Sequence, residues 1–216
     1  MEQWIAEMLQ LNDSESKMTD KQLKIIEAAV EIFSTKGFAA SSTSEIAQKA
    51  GVAEGTIFRH YKTKKDLLLS IVTPMMARLI APFILKDFNK VLNSAYPKYE
   101  DFLRALIKNR MEFARHNLPI IKIMLHELPF QNDLNLQFKE HIASKVIQRM
   151  KEITDHFQKE GQIIPLPSPV VIRLSITVLI GFLFTRFLLL PELEWDEEQE
   201  IEFTIDFIMH GLAPRN

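Results

Sequence analysis

The chain is predicted to be all-α, and three features of its 216 residues lead there. Apolar residues recur at three- and four-residue spacing along most of its length, which is the period of one helix face. Hydroxyl residues stand three positions before a glutamine or an acid at Thr19/Gln22, Ser42/Glu45 and Thr63/Asp66, the capping-box spacing that opens a helix. No run alternates between apolar and polar as a half-buried strand would. The pattern separates an N-terminal extension over residues 1–18, a head of short helices over 19–72 and a larger helical body over 73–216.

In the extension, Trp4, Ile5, Met8, Leu9 and Leu11 offer one apolar helix face, but so short a helix is marginal unless it docks on something. The first helix of the head opens at Thr19, carries Leu23, Ile26, Val30 and Phe33 inward, and stops before Gly37. The second opens at Ser42, buries Ile46, Ala47 and Ala50, and ends at Gly51, a residue that tolerates the left-handed conformation of a helix C-terminus. Val52 then plugs the corner. A third helix begins near Ala53 with Ile57 and Tyr61 one turn apart and facing inward, which leaves Glu54, Gly55, Thr56 and Arg59 pointing out. The next helix opens at Thr63 with Leu67, Leu68, Ile71 and Val72 on its inner face and Lys64 and Lys65 at its exposed start. Two short helices meeting at a glycine turn, with another behind, make a helix-turn-helix of the kind that reads DNA.

Residues 21–72 resemble the DNA-binding domain of the TetR family of bacterial transcription regulators. The resemblance rests on Lys36-Gly37-Phe38 at the end of the first helix, a Ser/Thr-rich start to the second, Ile46 to Val52 around the turn, Gly55 to Tyr61 on the third helix, and the lysine-acid-Leu-Leu entry into the fourth. It implies that Ser42 or Thr43 bonds a phosphate, that Glu54, Gly55 and Thr56 face base edges, that Arg59 reaches a base edge or a phosphate, and that His60 and Lys64 contact phosphates. Two positions depart from the family pattern. Phe58, in the DNA-facing set, replaces a frequent tyrosine and removes its hydroxyl, and Ala53 replaces a frequent serine and removes a side-chain cap worth about 1 kcal/mol.

The body reads as helices over about 99–116, 118–128, 133–160, 168–190 and 196–211, with Pro74 and Pro82 breaking the segment before them and three prolines in the loop at 161–169. Val170 to Leu190 is mostly apolar and interrupted only by Arg173 and Arg186, so it reads as a helix buried between protein surfaces and not as a membrane span. Val178 and Phe182 on it, with Ile201, Ile205 and Ile208 on the last helix, are expected to pair across the two-fold axis of a homodimer. The family resemblance also implies a cavity in the body for a small apolar or amphipathic ligand. Met75, Phe83, Phe102, Met111, Met124 and Phe184 are its expected walls, and Arg110 and His126 its expected polar groups.

Charge supports the division of labour. Residues 19–72 carry a net +2 although the whole chain carries –2, so the positive charge lies where DNA is expected. The absence of cysteine excludes disulfides and thiolate metal sites and suits a reducing cytoplasm. His126-Glu127 begins like a zinc-protease signature, but Phe130 occupies the place of the second histidine. No metal site, cofactor or catalytic set is expected. The reading is a cytoplasmic, homodimeric regulator that represses from a palindromic double-stranded operator and is released by its ligand; a non-sensing or activating protein with the same head is the alternative.

Overall fold

The computed structural model describes residues 19–73, 96–139 and 144–211. The extension over 1–18, Pro74, Met75, Pro82 and Phe83 lie outside them. The described secondary structure is helical: α1 (Asp20–Lys36), α2 (Thr43–Ala50), α3 (Glu54–His60), α4 (residues 64–73), α5 (Tyr99–Glu127), α6 (Asn132–Phe138), α7 (Ser144–Lys159), α8 (Ser168–Phe184) with a π-helical turn at Thr185–Leu189, and α9 (Glu197–His210). These fall into two compact units, Met1–Ile80 with Asn117–Ile142, and Ala81–His116 with Ala143–Asn216.

In the first unit, local chemistry sets the helix ends. Thr19 and Ser42 close the expected capping boxes with Gln22 and Glu45. Thr63 and Asp66 do so reciprocally at 3.0 Å for each backbone N–H. Gly51 ends α2 at φ 67° and ψ 35°, where its N–H reaches the carbonyls of Ala47 and Gln48. The core beneath them is closed: Ile25, Ile26, Ile46, Ile57, Leu67, Leu68 and Ile71 are all fully buried, and Phe33 and Tyr61 are buried with them. Ile120, Ile123 and Leu134 of the second segment are buried as well.

The expected helices at 99–116 and 118–128 lie on either side of a kink within α5. Asn117 leaves helical geometry at φ –123° and ψ 20°, and Pro119 two residues on has no N–H to return to the preceding turn. The boundary between the two compact units falls at this kink.

The second unit is built on a core of Tyr99, Phe102, Leu103, Leu106, Ile107 and Met111 from α5, Met150, Ile153 and Phe157 from α7, Ile172 and Leu179 from α8, and Ile201 and Ile205 from α9. Tyr99 stacks on Phe102 at 5.7 Å and meets Phe157 at 5.3 Å. A ladder of ion pairs closes α5 on α9: Arg104 to Glu202 at 2.6 Å, Lys108 to Glu198 at 2.9 Å, and Arg115 to Glu197. The π-helical turn after α8 carries Arg186, whose guanidinium donates to the carbonyl of Pro191 at 3.1 Å and to Glu197 at 3.4 Å, and lies over the Trp195 ring at 5.8 Å.

The ladder makes this unit sensitive to acid. Hydrogen bonds from Arg115 hold the Glu197 carboxyl below its ordinary value of 4.5, and those from Arg104 do the same for Glu202. A depressed carboxylate contributes stability that is fully present above its unfolded value and lost as pH falls through its folded one. The double variant Glu197→Gln/Glu202→Gln should therefore melt below the wild type at pH 7, and the gap should close as pH drops from 4.5. Thermal melts by circular dichroism across that range check this, and a gap independent of pH would show that the ladder does not titrate.

Candidate nucleic-acid interface

α3 presents the surface expected of a recognition helix. Ile57 is fully buried and anchors it, while Glu54, Gly55, Phe58 and Arg59 are exposed and Thr56 and His60 half-exposed. Phe58 is an aromatic ring 47% exposed, which is costly in water and suited to apolar contact with sugar or a thymine methyl. Ala53 has no side-chain cap, so the first N–H groups of α3 are left for solvent or a phosphate.

The structure ties several expected phosphate contacts to other duties. Ser42 accepts from the Glu45 N–H at 3.1 Å as the cap of α2, and Glu45 in turn receives Lys36 at 2.6 Å. Lys36, with the Ser42 N–H second to it, holds the Glu45 carboxyl below the usual carboxylate range. The Thr43 hydroxyl donates to Glu54 at 2.6 Å, which links the starts of α2 and α3 and orients the acid expected to face bases. Lys49 pairs with Glu31 at 2.6 Å, so α2 is tied to α1 at both ends.

Lys64 is the largest departure. Expected at the exposed start of α4 against a phosphate, its ammonium instead turns inward to donate to the carbonyls of Phe38 at 2.6 Å and Ser41 at 2.7 Å. It also lies 4.3 Å from the centre of the Phe38 ring. On the other side of the same loop, the Phe38 N–H donates to Glu127 at 3.3 Å, and Gln131 donates to that carboxylate too. Glu127 is 8% exposed. The loop that feeds α2 is thus held through its carbonyls by a cation and through an N–H by an anion. None of this is legible in the spacing, because the contacts span 26 and 89 positions.

The described residues among the expected ligand set fall in both compact units. Phe102 and Met111 are packed into the core of the second unit, whereas Met124 is buried in the first and His126 is exposed there. Phe184 is 42% exposed. Arg110 is 8% exposed, is joined through Nε and Nη2 to the Asn109 side-chain oxygen, and lies over the Phe113 ring at 5.1 Å. Burial pushes its guanidinium down to about 10, which still leaves it charged at neutral pH. Among the described residues no group of three histidines, cysteines or acids is placed to hold a metal.

The head defines a DNA-binding protein of the helix-turn-helix class. Residues 25–71 match the family described as bacterial regulatory proteins, tetR family. The fatty acid metabolism regulator protein of Bacillus subtilis (strain 168) is 43% identical over 60 residues, 28% of this chain and 31% of that protein. The chain's matches span about a third or less of the length of the first curated relatives. Over the whole chain the fold is shared with the transcriptional regulator FadR from Bacillus subtilis, solved in complex with stearoyl-CoA, at 21% identity, 88% and 99% coverage of the two chains and a TM-score of 0.66. It is shared equally with AibR, solved in complex with isovaleryl coenzyme A and operator DNA, at 19% identity, 88% and 98% coverage and a TM-score of 0.69. Residues 25–71 thus carry the DNA-binding domain of TetR-family transcriptional regulators.

The two basic residues should separate in mutation. Lys64→Ala strands the Phe38 and Ser41 carbonyls and should lower stability by about 1–3 kcal/mol, seen as a lower urea midpoint. Arg59→Ala touches no core residue and should leave the midpoint unchanged while weakening operator binding by about 1–3 kcal/mol in fluorescence anisotropy. Unchanged stability in Lys64→Ala would restore it to the phosphate contacts.

Proposed function

We propose that the chain is a homodimeric repressor that binds a palindromic operator through α3 and is released by an amphipathic acyl compound such as a fatty acyl thioester. The observation that carries the DNA reading is the outward face of Glu54, Gly55, Thr56, Phe58, Arg59 and His60 on a helix anchored by a fully buried Ile57. The protein acts by binding, in the cytoplasm where its operator lies.

Dimerisation is supported by an apolar surface that a single chain leaves open. α8 with its π-helical turn spans Ser168–Leu189 at a mean hydropathy of 1.9, long and apolar enough to cross a membrane, yet only 22% of its apolar window is buried. The expected burial of this helix is therefore not achieved within one protomer. Leu174, Ile180 and Phe184 on α8 and Phe203 and Phe207 on α9 are 39–58% exposed and recur at helical spacing. Gly181 sits among them, and a Cβ added there would meet nothing in its own protomer, so it leaves room for a close helix from outside. The interface residues expected from sequence need revision accordingly. Ile201 and Ile205 are 2% and 3% exposed inside the protomer's own core, against which Phe182 and Ile208 also pack, while Val178 is half-buried. A second copy would cover the α8 and α9 face and set two recognition helices about 34–36 Å apart for successive major grooves. Arg173, exposed within the apolar run, argues for a protein partner over a lipid one.

The acyl ligand is supported by the two fold relatives solved with acyl-CoA compounds. Within this chain it is supported by Arg110, a buried cation beside the aromatic and methionine core that suits the polar end of such a molecule. A ligand lowers operator affinity only by the amount it prefers the DNA-incompetent state.

Phe203→Glu should give monomers in sedimentation velocity at micromolar concentration, with operator affinity reduced by at least tenfold. Stearoyl-CoA titrated onto the labelled operator complex should release the protein, and Arg110→Met should need about tenfold more of it while binding the operator normally. A wild-type monomer overturns the dimer. Acyl-CoA compounds of every chain length leaving operator affinity unchanged overturn the acyl ligand.

A further inference from the structure

Thr43 and Glu54 stand 11 residues apart on two different helices, yet the Thr43 hydroxyl donates to Glu54 Oε1 at 2.6 Å. The other carboxylate oxygen, Oε2, takes no hydrogen bond among the described residues. Glu54 is exposed on the same outward side of α3 as Phe58, while Ile57 turns inward. The second helix of a helix-turn-helix enters the major groove and presents the residues of its first turn to base edges. Glu54 is in that turn. A carboxylate there is costly unless it meets a donor, because the surface that carries it closes on a polyanion. By holding Oε1, the Thr43 hydroxyl restricts the rotation of the carboxylate before any DNA arrives, so the ordering cost of a base contact is met in advance.

A carboxylate only accepts, and the donors that the major groove offers it are the amino groups of cytosine N4 and adenine N6. Their surroundings differ. Adenine N6 is flanked by an acceptor on each side, its own N7 and the O4 of the paired thymine, and both repel a carboxylate. Cytosine N4 has an acceptor on one side only, the O6 of the paired guanine, and a C–H edge on the other. A carboxylate held at one oxygen therefore accepts best from cytosine. We infer, on the reading that α3 faces the bases, that Glu54 specifies a cytosine in the operator by accepting from its N4 amino group, and that Thr43 is the positioning residue that holds the carboxylate for it. Thr43 thus serves base selection through Glu54 and not the phosphate that the family resemblance implies.

The test selects sites from a random duplex pool with the full-length wild type, Glu54→Ala, Glu54→Gln, Thr43→Val and Thr43→Ser, and sequences what each enriches. The wild type should enrich a cytosine at a fixed position that Glu54→Ala leaves open. Glu54→Gln should move that position toward adenine, since an amide matches N6 and N7 together. Thr43→Val should lower the preference for cytosine about three- to tenfold, and Thr43→Ser should restore it. On the wild-type site, N4-methylcytosine at that position keeps base pairing but places a methyl group where the carboxylate would sit. It should weaken the wild type about tenfold, and the penalty should vanish in Glu54→Ala. The same cytosine preference in Glu54→Ala, or an N4-methyl penalty shared by both proteins, overturns the proposal. A loss in Thr43→Val that is equal at every base, with the preference intact, returns Thr43 to the phosphate and overturns its positioning role. Enriched sites that depend on Arg59 but carry no Glu54-dependent cytosine count against the Glu54 role alone, whereas a pool that the wild type cannot enrich overturns the reading surface with it.

Discussion

The reading head depends on the loop of Gly37 to Ser41 being held in one place. Lys64 donates to two of its carbonyls, and Glu127 accepts from its Phe38 N–H. A short loop carries unpaired backbone groups that water would otherwise satisfy, and a loop satisfied by water is free to move. Here an ammonium and a carboxylate replace that water from opposite sides, in partly buried surroundings where such bonds are stronger than in solvent. Because α2 starts at the end of this loop and α3 is joined to α2 through Thr43 and Glu54, the orientation of the recognition surface is inherited from it.

Glu127 lies on the part of α5 beyond the Asn117 kink, within the same compact unit as the head. Its hydrogen bond ties that part of the chain to the loop that feeds α2. Small displacements there would act on a polar contact and not on a deformable apolar one, and polar contacts are lost over fractions of an ångström.

What the sequence disclosed was local, and what it concealed was not. The three capping boxes, the left-handed Gly51 and the uncapped Ala53 are decided within four residues of one another, so their spacing is enough. Lys64 escapes a reading from spacing because a lysine at an exposed helix start normally faces water or phosphate, and its true partners lie more than twenty residues upstream. Ile201 and Ile205 look like interface residues because α9 is apolar on two faces, and periodicity finds a face without saying which core it serves. Phe203 and Phe207 form the other face.

The π-helical turn at Thr185–Leu189 settles how the end of α8 is used. A turn widened by one residue sets every later side chain back by about 100° around the axis relative to an uninterrupted helix. Up to Phe184 the exposed side of α8 carries Leu174, Ile180 and Phe184, with Arg173 and Thr177 exposed as well. Past it, Phe187 packs on the protomer's own core and Arg186 addresses the Pro191 carbonyl, Glu197 and Trp195. The extra residue is therefore a phase shift: it turns Arg186 and Phe187 toward the entrance of α9, while Leu189 and Leu190 stay exposed. A deletion of one residue here would leave composition, charge and helical content almost unchanged and yet swing the arginine out of its cage and an apolar ring into its place. Length within this turn is as much a determinant of the structure as the identity of any side chain in it.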